Sequence, residues 1–449
     1  MHRDIVMTAC TQSATTASVA AGDAMMAMLA DLTPLNRVIC SSDYDATVAY
    51  LAERWPLREH RFEATDVHNG WVIPPRWDVL EATIHKDGEC LYDGRWHPMA
   101  VMALSLPFRG TVSREELRSH LHFDHRYEER IPFHFRQLFT SWQRDWGFCV
   151  PRRLVESLEP GDYEVVIETR EAPGYLRCLD YHLPGQLEQT IVLGANLDHP
   201  GVANDGLSGV AVGLAVFEAL AARPRRFSYR LVLAPGIMGT EYYLGRLPAA
   251  ERALLFEGLM LEMLGSPTIL NLQRSRGAGS NIEQALSRVL NEGGHEYREG
   301  AFESLLLNDE YLWEAYGIPM ASLSRYPYPE YHTDADNLDL MSSQRLLEAR
   351  DVVLAAIDDI ESSPLIKKRF EGNVCLSHPR HDLYVDPGQV AFGDVPDESR
   401  RRMRLLMDSI PTLTRPTTVR QLAREVGLEE SVVHDYLKRW RDCGLVELV

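Results

Sequence analysis

Apolar and polar positions along the middle of the chain switch between strand and helix spacing. The stretch Gln189–Leu220 begins with a short apolar run, Ile191–Leu193, that has the length and composition of a buried strand. A polar loop follows, and small and apolar residues then recur at helical spacing. Three further apolar runs of strand length alternate with helix-like segments: Phe227–Ala234, Gly258–Leu264 and Met320–Leu323. This alternation predicts an α/β fold with a mostly parallel mixed sheet covered by helices.

A different pattern precedes this region. From Phe62 onward, short β-rich runs are separated by Asp-Gly turns. Two later runs, Tyr163–Glu168 and Tyr175–Tyr181, alternate in the manner of paired strands. The predicted organisation is a leader over 1–20, a main domain over 21–60 and 150–362, an inserted β-rich domain over 61–149, and a C-terminal region over 363–449.

The C-terminal region predicts helix, turn, helix and a short strand, which is the order of a winged helix. The segments are Ser399–Ile410, Thr418–Val426, Ser431–Cys443 and Gly444–Val449. Glu429 and Glu430 open the second helix of the helix-turn-helix, where they would repel phosphates. We therefore expect this module to mediate protein contacts, such as a homo-oligomer, and we do not expect nucleic-acid binding.

Composition narrows the class of protein. The chain has 449 residues with a net charge of −19, which argues against broad, non-specific binding to nucleic acid. No run approaches the ~18–20 apolar residues of a membrane span. The seven cysteines are scattered and form no CxxC pair. Reduced thiols and a cytoplasmic location are the expectation.

Histidines concentrate between Arg118 and Phe135. His120, His122, His125 and His134 surround Asp124 in this segment. Such a set could hold a metal ion, or it could be an exposed polar loop. Spacing alone is weak evidence for a metal, so the polar loop is favoured.

Chemically useful residues follow the ends of the four predicted strands. Asp198, His199 and Asp205 follow the first strand, Glu241 lies in the turn region after the second, Glu262 lies in the third, and His332 follows the fourth. The carboxyl ends of parallel strands meet at one edge of a sheet. Two histidines with carboxylates at that edge form a ligand set suited to zinc. Glu262 stands out because an unpartnered carboxylate inside an apolar strand costs several kcal/mol.

Several segments resemble the zinc-dependent aminopeptidase family, which also contains carboxypeptidases and glutaminyl cyclases. The closer match is the bacterial aminopeptidase-like branch, which joins a peptidase-type domain, a small insert and a C-terminal winged helix. The matching segments are LGANLDHPGVANDGLSG, PGIMGT, LEMLG, YPEYHTDADNLD, WVIPPRWDV and WGFCVPRRLVESLEPGDYEVVIET. The resemblance spans about residue 25 to the end of the chain.

The resemblance implies a zinc site with one or two ions. Asp205 matches a metal-bridging aspartate, Glu262 matches a ligand in a strand, and His332 matches a late histidine ligand. The usual HxD triplet is replaced by Asn196-Leu197-Asp198, so His199 is the expected histidine of this loop. Asp198 and Asn204 are expected to support these ligands.

The main departure from the family lies after the second strand. The peptidases place a catalytic Glu pair there, whereas this chain has Pro235-Gly236. Glycine can neither bind metal nor accept a proton. The general base is therefore sought among other carboxylates, with Glu241, Asp309 and Glu310 as candidates.

Three residues are expected to contact the substrate. Arg325 could hold a carboxylate or could pair with a neighbouring acid. Tyr331 belongs to the aromatic cluster that leads to His332, and Arg276 matches a basic segment of the branch.

These observations lead to three functional hypotheses. The first is a zinc-dependent hydrolase that cleaves an amide in a small peptide-like or aminoacylated molecule. The second retains the metal but performs cyclisation or acyl transfer with water excluded. The third is a non-catalytic binding or assembly protein, against which the retained Asp205, Glu262 and His332 argue. The hydrolase is the preferred hypothesis.

Overall fold

The computed structural model describes residues 19–277, 279–305, 308–386 and 397–449. The chain divides into two compact units. The first contains the described residues up to Arg276 together with Glu296–Asp351, and the second contains Gly277–His295 together with Val352–Val449. Most of the predicted leader lies outside the described residues.

The strands, numbered in chain order, are β1 (Arg58–Glu63), β2 (Val67–His68), β3 (Trp71–Val72), β4 (Arg76–Lys86), β5 (Glu89–Asp93), β6 (Phe108–Ser113), β7 (Leu121–His122), β8 (Phe148–Cys149), β9 (Asp162–Ala172), β10 (Tyr175–Leu183), β11 (Thr190–Asn196), β12 (Ser228–Ala234), β13 (Leu255–Leu261), β14 (Leu270–Gln273), β15 (Tyr297–Gly300), β16 (Met320–Ser324), β17 (Leu365–Lys368), β18 (Thr417–Thr418) and β19 (Val446–Leu448).

The helices are α1 (19–32), α2 (Ser42–Arg54), α3 (Arg114–Ser119), α4 (Arg136–Phe139), α5 (Arg152–Ser157), α6 (Leu207–Ala221), α7 (Met238–Arg246), α8 (Ala249–Arg252), α9 (Asn281–Glu292), α10 (Glu310–Ala315), α11 (Ser343–Glu361), α12 (Glu398–Thr412), α13 (Val419–Val426) and α14 (Glu430–Asp442). Short 3₁₀ turns occupy Gly94–Trp96 and Leu338–Leu340. None of the helices in the described residues combines the length and apolar character that crossing a membrane requires.

Eight strands of the described chain form the main sheet, in the order β1-β10-β12-β11-β13-β16-β14-β15. Its centre is parallel, with β11 between β12 and β13 and with β16 next to β13. Leu193 lies opposite Leu231 on one side and Leu259 on the other. Both faces of these strands are buried, which explains their near-continuous apolar runs. The predicted α/β sheet and its four central strands are confirmed.

Helix α6 packs closely on this sheet. Gly209 makes the approach possible, because a Cβ atom there would overlap the Leu261 carbonyl group. The tight contact fixes the start of α6, and with it the loop from β11 that carries Asp205.

A four-stranded antiparallel sheet in the order β5-β4-β9-β6 forms a second layer of the first unit. Its core contains Trp77, Phe148 and Val165. The predicted pairing of Tyr163–Glu168 with Tyr175–Tyr181 is wrong. β9 pairs with β4 and β6, whereas β10 pairs with β1 and β12 in the main sheet. An alternating pattern marks a strand but does not specify its partner.

The second unit contains α9, α12, α13, α14 and the antiparallel sheet β18-β17-β19. Its core includes Leu422, Val433 and Trp440. Gly427 ends α13 in the left-handed conformation at φ 68°, which glycine adopts without steric cost. The predicted order of helices and terminal strand is confirmed, and β17 is an additional strand near the start of the C-terminal region.

Candidate metal centre

Three predicted ligands converge at the carboxyl edge of the main sheet. His199 and Asp205 lie in the loop between β11 and α6, and His332 lies in the loop after β16. One potential ligand atom from each residue lies within 4.8 Å of the others. His332 Nε2 is 3.0 Å from Asp205 Oδ2, and His199 Nε2 is 3.7 Å from the same oxygen. The structure thus joins two loops into one His-Asp-His group.

The geometry of this group fits a metal ion. Asp205 Oδ2 is buried and accepts no hydrogen bond of acceptable geometry, although two imidazole nitrogens lie within 3.7 Å of it. One ligand atom from each of the three residues lies close enough to the others for all three to contact one ion. Two imidazoles and one carboxylate leave a coordination position open, as catalytic zinc sites require.

Electrostatics at the group favour a cation. Burial lowers the pKa of His199, but the charges of Asp205 and Asp198 outweigh it and raise that pKa to about 9. Burial raises the pKa of Asp205, but His199 and His332 reverse this effect and lower it. The negative potential that favours the protonated form of His199 would also favour the binding of a divalent cation.

Asp336 holds the ligand loop in place. Its carboxylate accepts hydrogen bonds from the backbone N–H groups of Asn204 (2.6 Å) and Asp205 (3.1 Å) and from the Tyr328 hydroxyl (2.6 Å). Asp336 lies in the YPEYHTDADNLD segment, but its position in the sequence does not indicate this role. Asn204 connects the same loop to the segment after β13, because its Oδ1 accepts a hydrogen bond from Gly265 N–H at 2.8 Å.

The backbone at the centre is strained. His199 has φ 80°, His332 has φ 55°, and Ile237, which lines the same cavity, has φ 60°. Non-glycine residues rarely adopt positive φ, and they do so where the surrounding structure requires a particular geometry. Both histidine ligands are therefore held by the loops at some energetic cost.

Glu262 is not part of the three-residue group. Its Oε1 accepts a hydrogen bond from Asn308 Nδ2 at 2.7 Å, and its buried Oε2 has no partner. Burial raises the pKa of Glu262 well above its usual value, and the charges of Glu310 and Asp309 raise it further. The expected metal-binding role of Glu262 therefore stays a prediction, since its carboxyl lies outside the converging His199, Asp205 and His332 group.

Asp309 and Glu310 lie beside Glu262 but do not line the cavity next to the metal group. Asp309 accepts hydrogen bonds from Ile237 N–H (2.6 Å) and Thr240 Oγ1 (2.5 Å), while burial raises its pKa to about 7. Glu310 accepts from Asn308 N–H at 2.9 Å, and its Oε1 has no partner. Both carboxyls belong to a buried acidic cluster behind the cavity.

Glu241 also lies away from the cavity lining. Its Oε1 accepts hydrogen bonds from Asn69 Nδ2 (2.7 Å) and the Tyr316 hydroxyl (3.0 Å), and His68 Nε2 is 3.4 Å away. These contacts connect the β2–β3 hairpin to α7. Gly236 does line the cavity, and a Cβ there would lie 3.5 Å from Asp198 Oδ1.

The three expected substrate contacts separate in the structure. The Arg325 guanidinium is fully buried and donates to the Leu264 carbonyl (3.0 Å) and to Glu348 (2.6 Å), so it stabilises the fold in place of the expected contact with a substrate. Arg276 is exposed and pairs with Glu303 outside the cavity. Tyr331 lines the cavity and stacks on His332 at 3.9 Å between ring centroids.

The metal cavity has a volume of about 230 Å³. Its lining consists of Ile39, Phe133, Phe135, Leu138, Phe139, Asp198, His199, Asp205, Gly236, Ile237, Met238, Asn308, Tyr331 and His332. Phe133 N–H donates to the His332 carbonyl at 2.9 Å, and its ring makes edge contacts with His199 and His332 at 5.4 and 5.5 Å. The segment 133–139 therefore forms an apolar wall directly against the ligands.

Comparisons with known proteins agree with this architecture. A family model described as "Domain of unknown function (DUF4910)" matches residues 26–363. A Clostridium acetobutylicum protein, provisionally named as a polysaccharide biosynthesis protein with an aminopeptidase-like domain, is 29% identical over 341 residues, covering 75% of this chain and 77% of that protein.

Two solved structures share the fold. A crystal structure from Clostridium acetobutylicum, provisionally assigned as a peptidase, has a TM-score of 0.75 at 24% identity and covers 98% of this chain and 99% of that one. The zinc aminopeptidase BSAP from Bacillus subtilis has a TM-score of 0.58 at 14% identity, with coverage of 76% and 95%. The resemblance to the aminopeptidase-like branch is confirmed, and the fold is that of the zinc aminopeptidases.

Proposed function

Since this chain belongs to the DUF4910 family through residues 26–363, and since that region contains the His-Asp-His group, we propose that it is a zinc-dependent hydrolase. The proposed reaction is cleavage of an amide bond in a small aminoacylated or peptide-like molecule. The observation that carries the proposal is the convergence of His199, Asp205 and His332 at the base of a small apolar cavity.

His199, Asp205 and His332 would hold the zinc ion. When bound, zinc supplies a Lewis acid that polarises the amide carbonyl and acidifies a water molecule. Asp198 orients the site, because its Oδ1 lies 3.4 Å from His199 Nδ1 and accepts from Gly236 N–H at 2.8 Å.

Proton transfer requires a carboxylate that can reach the substrate. Among the residues that line the metal cavity, Asp198 is the carboxylate besides the ligand Asp205. We assign the proton-accepting role to an Asp198 carboxylate oxygen, in place of Glu241, Asp309 and Glu310, which lie outside the lining.

The cavity supports a substrate with an apolar acyl group. Phe133, Phe135, Leu138 and Phe139 supply one wall, and the lining contains no lysine or arginine. A cavity of about 230 Å³ has room for one apolar side chain of a substrate. The name of the Clostridium relative suggests that the leaving amine belongs to a sugar used in polysaccharide biosynthesis.

A second candidate reaction is acyl transfer at the same metal. Gly236 leaves the usual position of the peptidase base without a carboxylate, and an apolar wall can exclude water from an acyl acceptor. Product analysis separates the two reactions, because hydrolysis releases a free acid and transfer yields a new amide.

The experiment measures cleavage of phenylalanyl, leucyl and lysyl p-nitroanilides by zinc-loaded protein. We expect kcat/KM for the phenylalanyl amide to exceed that for the lysyl amide at least tenfold. D205N should lower kcat/KM about 1,000-fold, because loss of the Lewis acid removes several kcal/mol of transition-state stabilisation.

Two further variants test the apolar wall. F139A should reduce the preference for the phenylalanyl amide, while L80A, which truncates an exposed apolar side chain of β4, serves as the matched control. Equal rates for the wild-type protein and D205N would contradict the proposal.

For the second unit, we propose that α12–α14 and the strand pair β17–β19 act as a winged helix that contacts protein. The acidic residues Glu429 and Glu430 at the start of α14 support this assignment. A duplex DNA affinity that falls steeply with salt concentration would contradict it.

A further inference from the structure

A second cavity, of about 480 Å³, also contacts the apolar wall formed by segment 133–139. It is lined by Leu121, His122, Phe123, His125, Pro132, Phe133, His134, Phe135 and Arg136. Phe133 and Phe135 line both cavities, so the two cavities adjoin at these residues. The histidine segment of the sequence therefore forms the wall of a cavity, and it is not simply an exposed polar loop.

Three histidines and Arg136 form the polar part of this cavity, and two of the imidazole rings stack on each other. His122 and His134 stack with ring centroids 4.0 Å apart and an interplanar angle of 29°. His134 Nδ1 is buried and has no hydrogen-bond partner among the described residues. A buried polar nitrogen without a partner is costly unless a ligand completes it.

Both imidazoles are neutral near neutral pH. Burial, together with the neighbouring His134, His120 and Arg136, lowers the pKa of His122 to about 4. Burial and Arg136 also lower the pKa of His134. A neutral imidazole offers one N–H donor and one acceptor, so each ring can donate to an anion.

Arg136 supplies the positive charge. It begins α4, it is exposed, and no carboxylate in the described part of the chain pairs with it. Two arginines of this segment do pair with carboxylates: Arg126 with Asp124 at 2.6 Å and Arg130 with Glu330 at 3.6 Å. An unpaired guanidinium is notable in a protein with a net charge of −19.

The cavity does not have the character of a cation site. None of its lining residues is acidic. Within the described residues, the group of three His, Cys, Asp or Glu side chains with converging ligand atoms is the His199, Asp205 and His332 group. The metal interpretation of the histidine segment is therefore not supported.

We propose that this cavity binds the oxyanion of a small phosphorylated or carboxylated molecule. Arg136 would contact two anion oxygens through its planar fork of N–H groups, and the rings of His122 and His134 would donate the remaining hydrogen bonds. This site is separate from the metal centre, and its existence does not depend on the proposed hydrolysis.

The test is calorimetric titration of the full-length protein with inorganic phosphate and, in parallel, with acetate. We expect saturable binding of at least one of these anions by the wild-type protein. R136A should weaken that binding at least tenfold, and H134F, which keeps an aromatic ring in the stack, should weaken it at least threefold. R126A, which removes a neighbouring paired arginine, should bind with wild-type affinity.

Two results would overturn the proposal: absence of saturable binding of either anion by the wild-type protein, or equal affinity in R136A and the wild type. Because Arg136 is exposed, R136A is expected to fold, and its thermal unfolding curve checks this point.

An N-acyl sugar phosphate then separates two sources of the anion. If it binds more tightly than phosphate and phosphate competes with it, the anion is part of a larger ligand. If it binds no more tightly than phosphate, the cavity binds a free small anion.

Discussion

Two carboxylates of the first unit are equally buried but differ in their partners. Asp180 on β10 is 1% exposed and receives Arg58 Nη2 (2.8 Å), His60 Nε2 (2.9 Å) and the Tyr243 hydroxyl (2.8 Å). Glu262, just after β13, is also 1% exposed but receives one amide hydrogen bond and keeps Oε2 without a partner.

The difference in partners gives opposite effects on pKa. Burial raises the pKa of Asp180, but hydrogen bonds from His60 and Arg58 outweigh burial and lower it. At Glu262 burial and two neighbouring carboxyls act in the same direction and raise the pKa. Loss of a partner from a paired buried charge destabilises the fold, whereas the incompletely paired Glu262 is a candidate functional group.

Removing the Asp180 charge should produce the largest change in stability. D180N removes the buried carboxylate that faces His60, Arg58 and the buried Arg230, so we expect the free energy of unfolding to fall by about 3 kcal/mol. Urea denaturation measures this loss. D162N, an exposed aspartate of β9, is the control and should change stability by less than about 0.5 kcal/mol.

The Asp180 contribution should also depend on pH. Its pKa is lower in the folded state, so the stabilisation is present above the unfolded pKa of ~3.9 and is lost as pH falls toward the folded value. The wild-type protein should therefore lose more stability on acidification than D180N. Parallel acid-unfolding curves would show that Asp180 is not held as a paired carboxylate.

Replacing Glu262 should have a much smaller effect on stability. Burial and the neighbouring carboxyls favour the protonated form of Glu262, and E262Q mimics that form with a neutral group of similar shape that can still accept from Asn308. We expect a change within about 1 kcal/mol in the metal-free protein, measured by the same denaturation.

The pH dependence of Glu262 should have the opposite sign. Because its folded pKa is raised, the native state keeps a proton that the unfolded chain releases above ~4.3. Stability therefore falls as pH rises from this value toward the folded pKa. E262Q should remove that part of the decline. A loss of stability as large as that of D180N would mean that Glu262 is an ionised, paired group.

Much of the metal centre could be predicted from the sequence. His199, Asp205 and His332 follow parallel strands, whose carboxyl ends share one edge of the sheet, so their convergence follows from topology. The aromatic wall could not be predicted, because phenylalanines in an irregular segment have the pattern of ordinary core residues. Phe133 and Phe139 reach the cavity through tertiary contacts of the insert.

The roles of Arg325 and Glu241 could not be predicted, because their hydrogen-bond partners lie far away in the sequence. Arg325 precedes an aromatic loop, but Glu348 on α11 and buried carbonyl groups engage its guanidinium. Glu241 lies close in sequence to the strand end, yet Asn69 and Tyr316 hold its carboxylate away from the cavity. Local sequence identifies a charged residue near a site but does not identify the groups that bind its charge.

The most direct test of the metal assignment is elemental analysis of freshly purified wild-type protein beside D205A. We expect about one zinc per wild-type chain, or restoration to one after zinc addition, and less than a tenth of that in D205A, because Asp205 Oδ2 lies close to both histidine ligands. Failure of the wild-type protein to retain zinc after addition, or equal zinc in D205A, would contradict a metal centre at His199, Asp205 and His332.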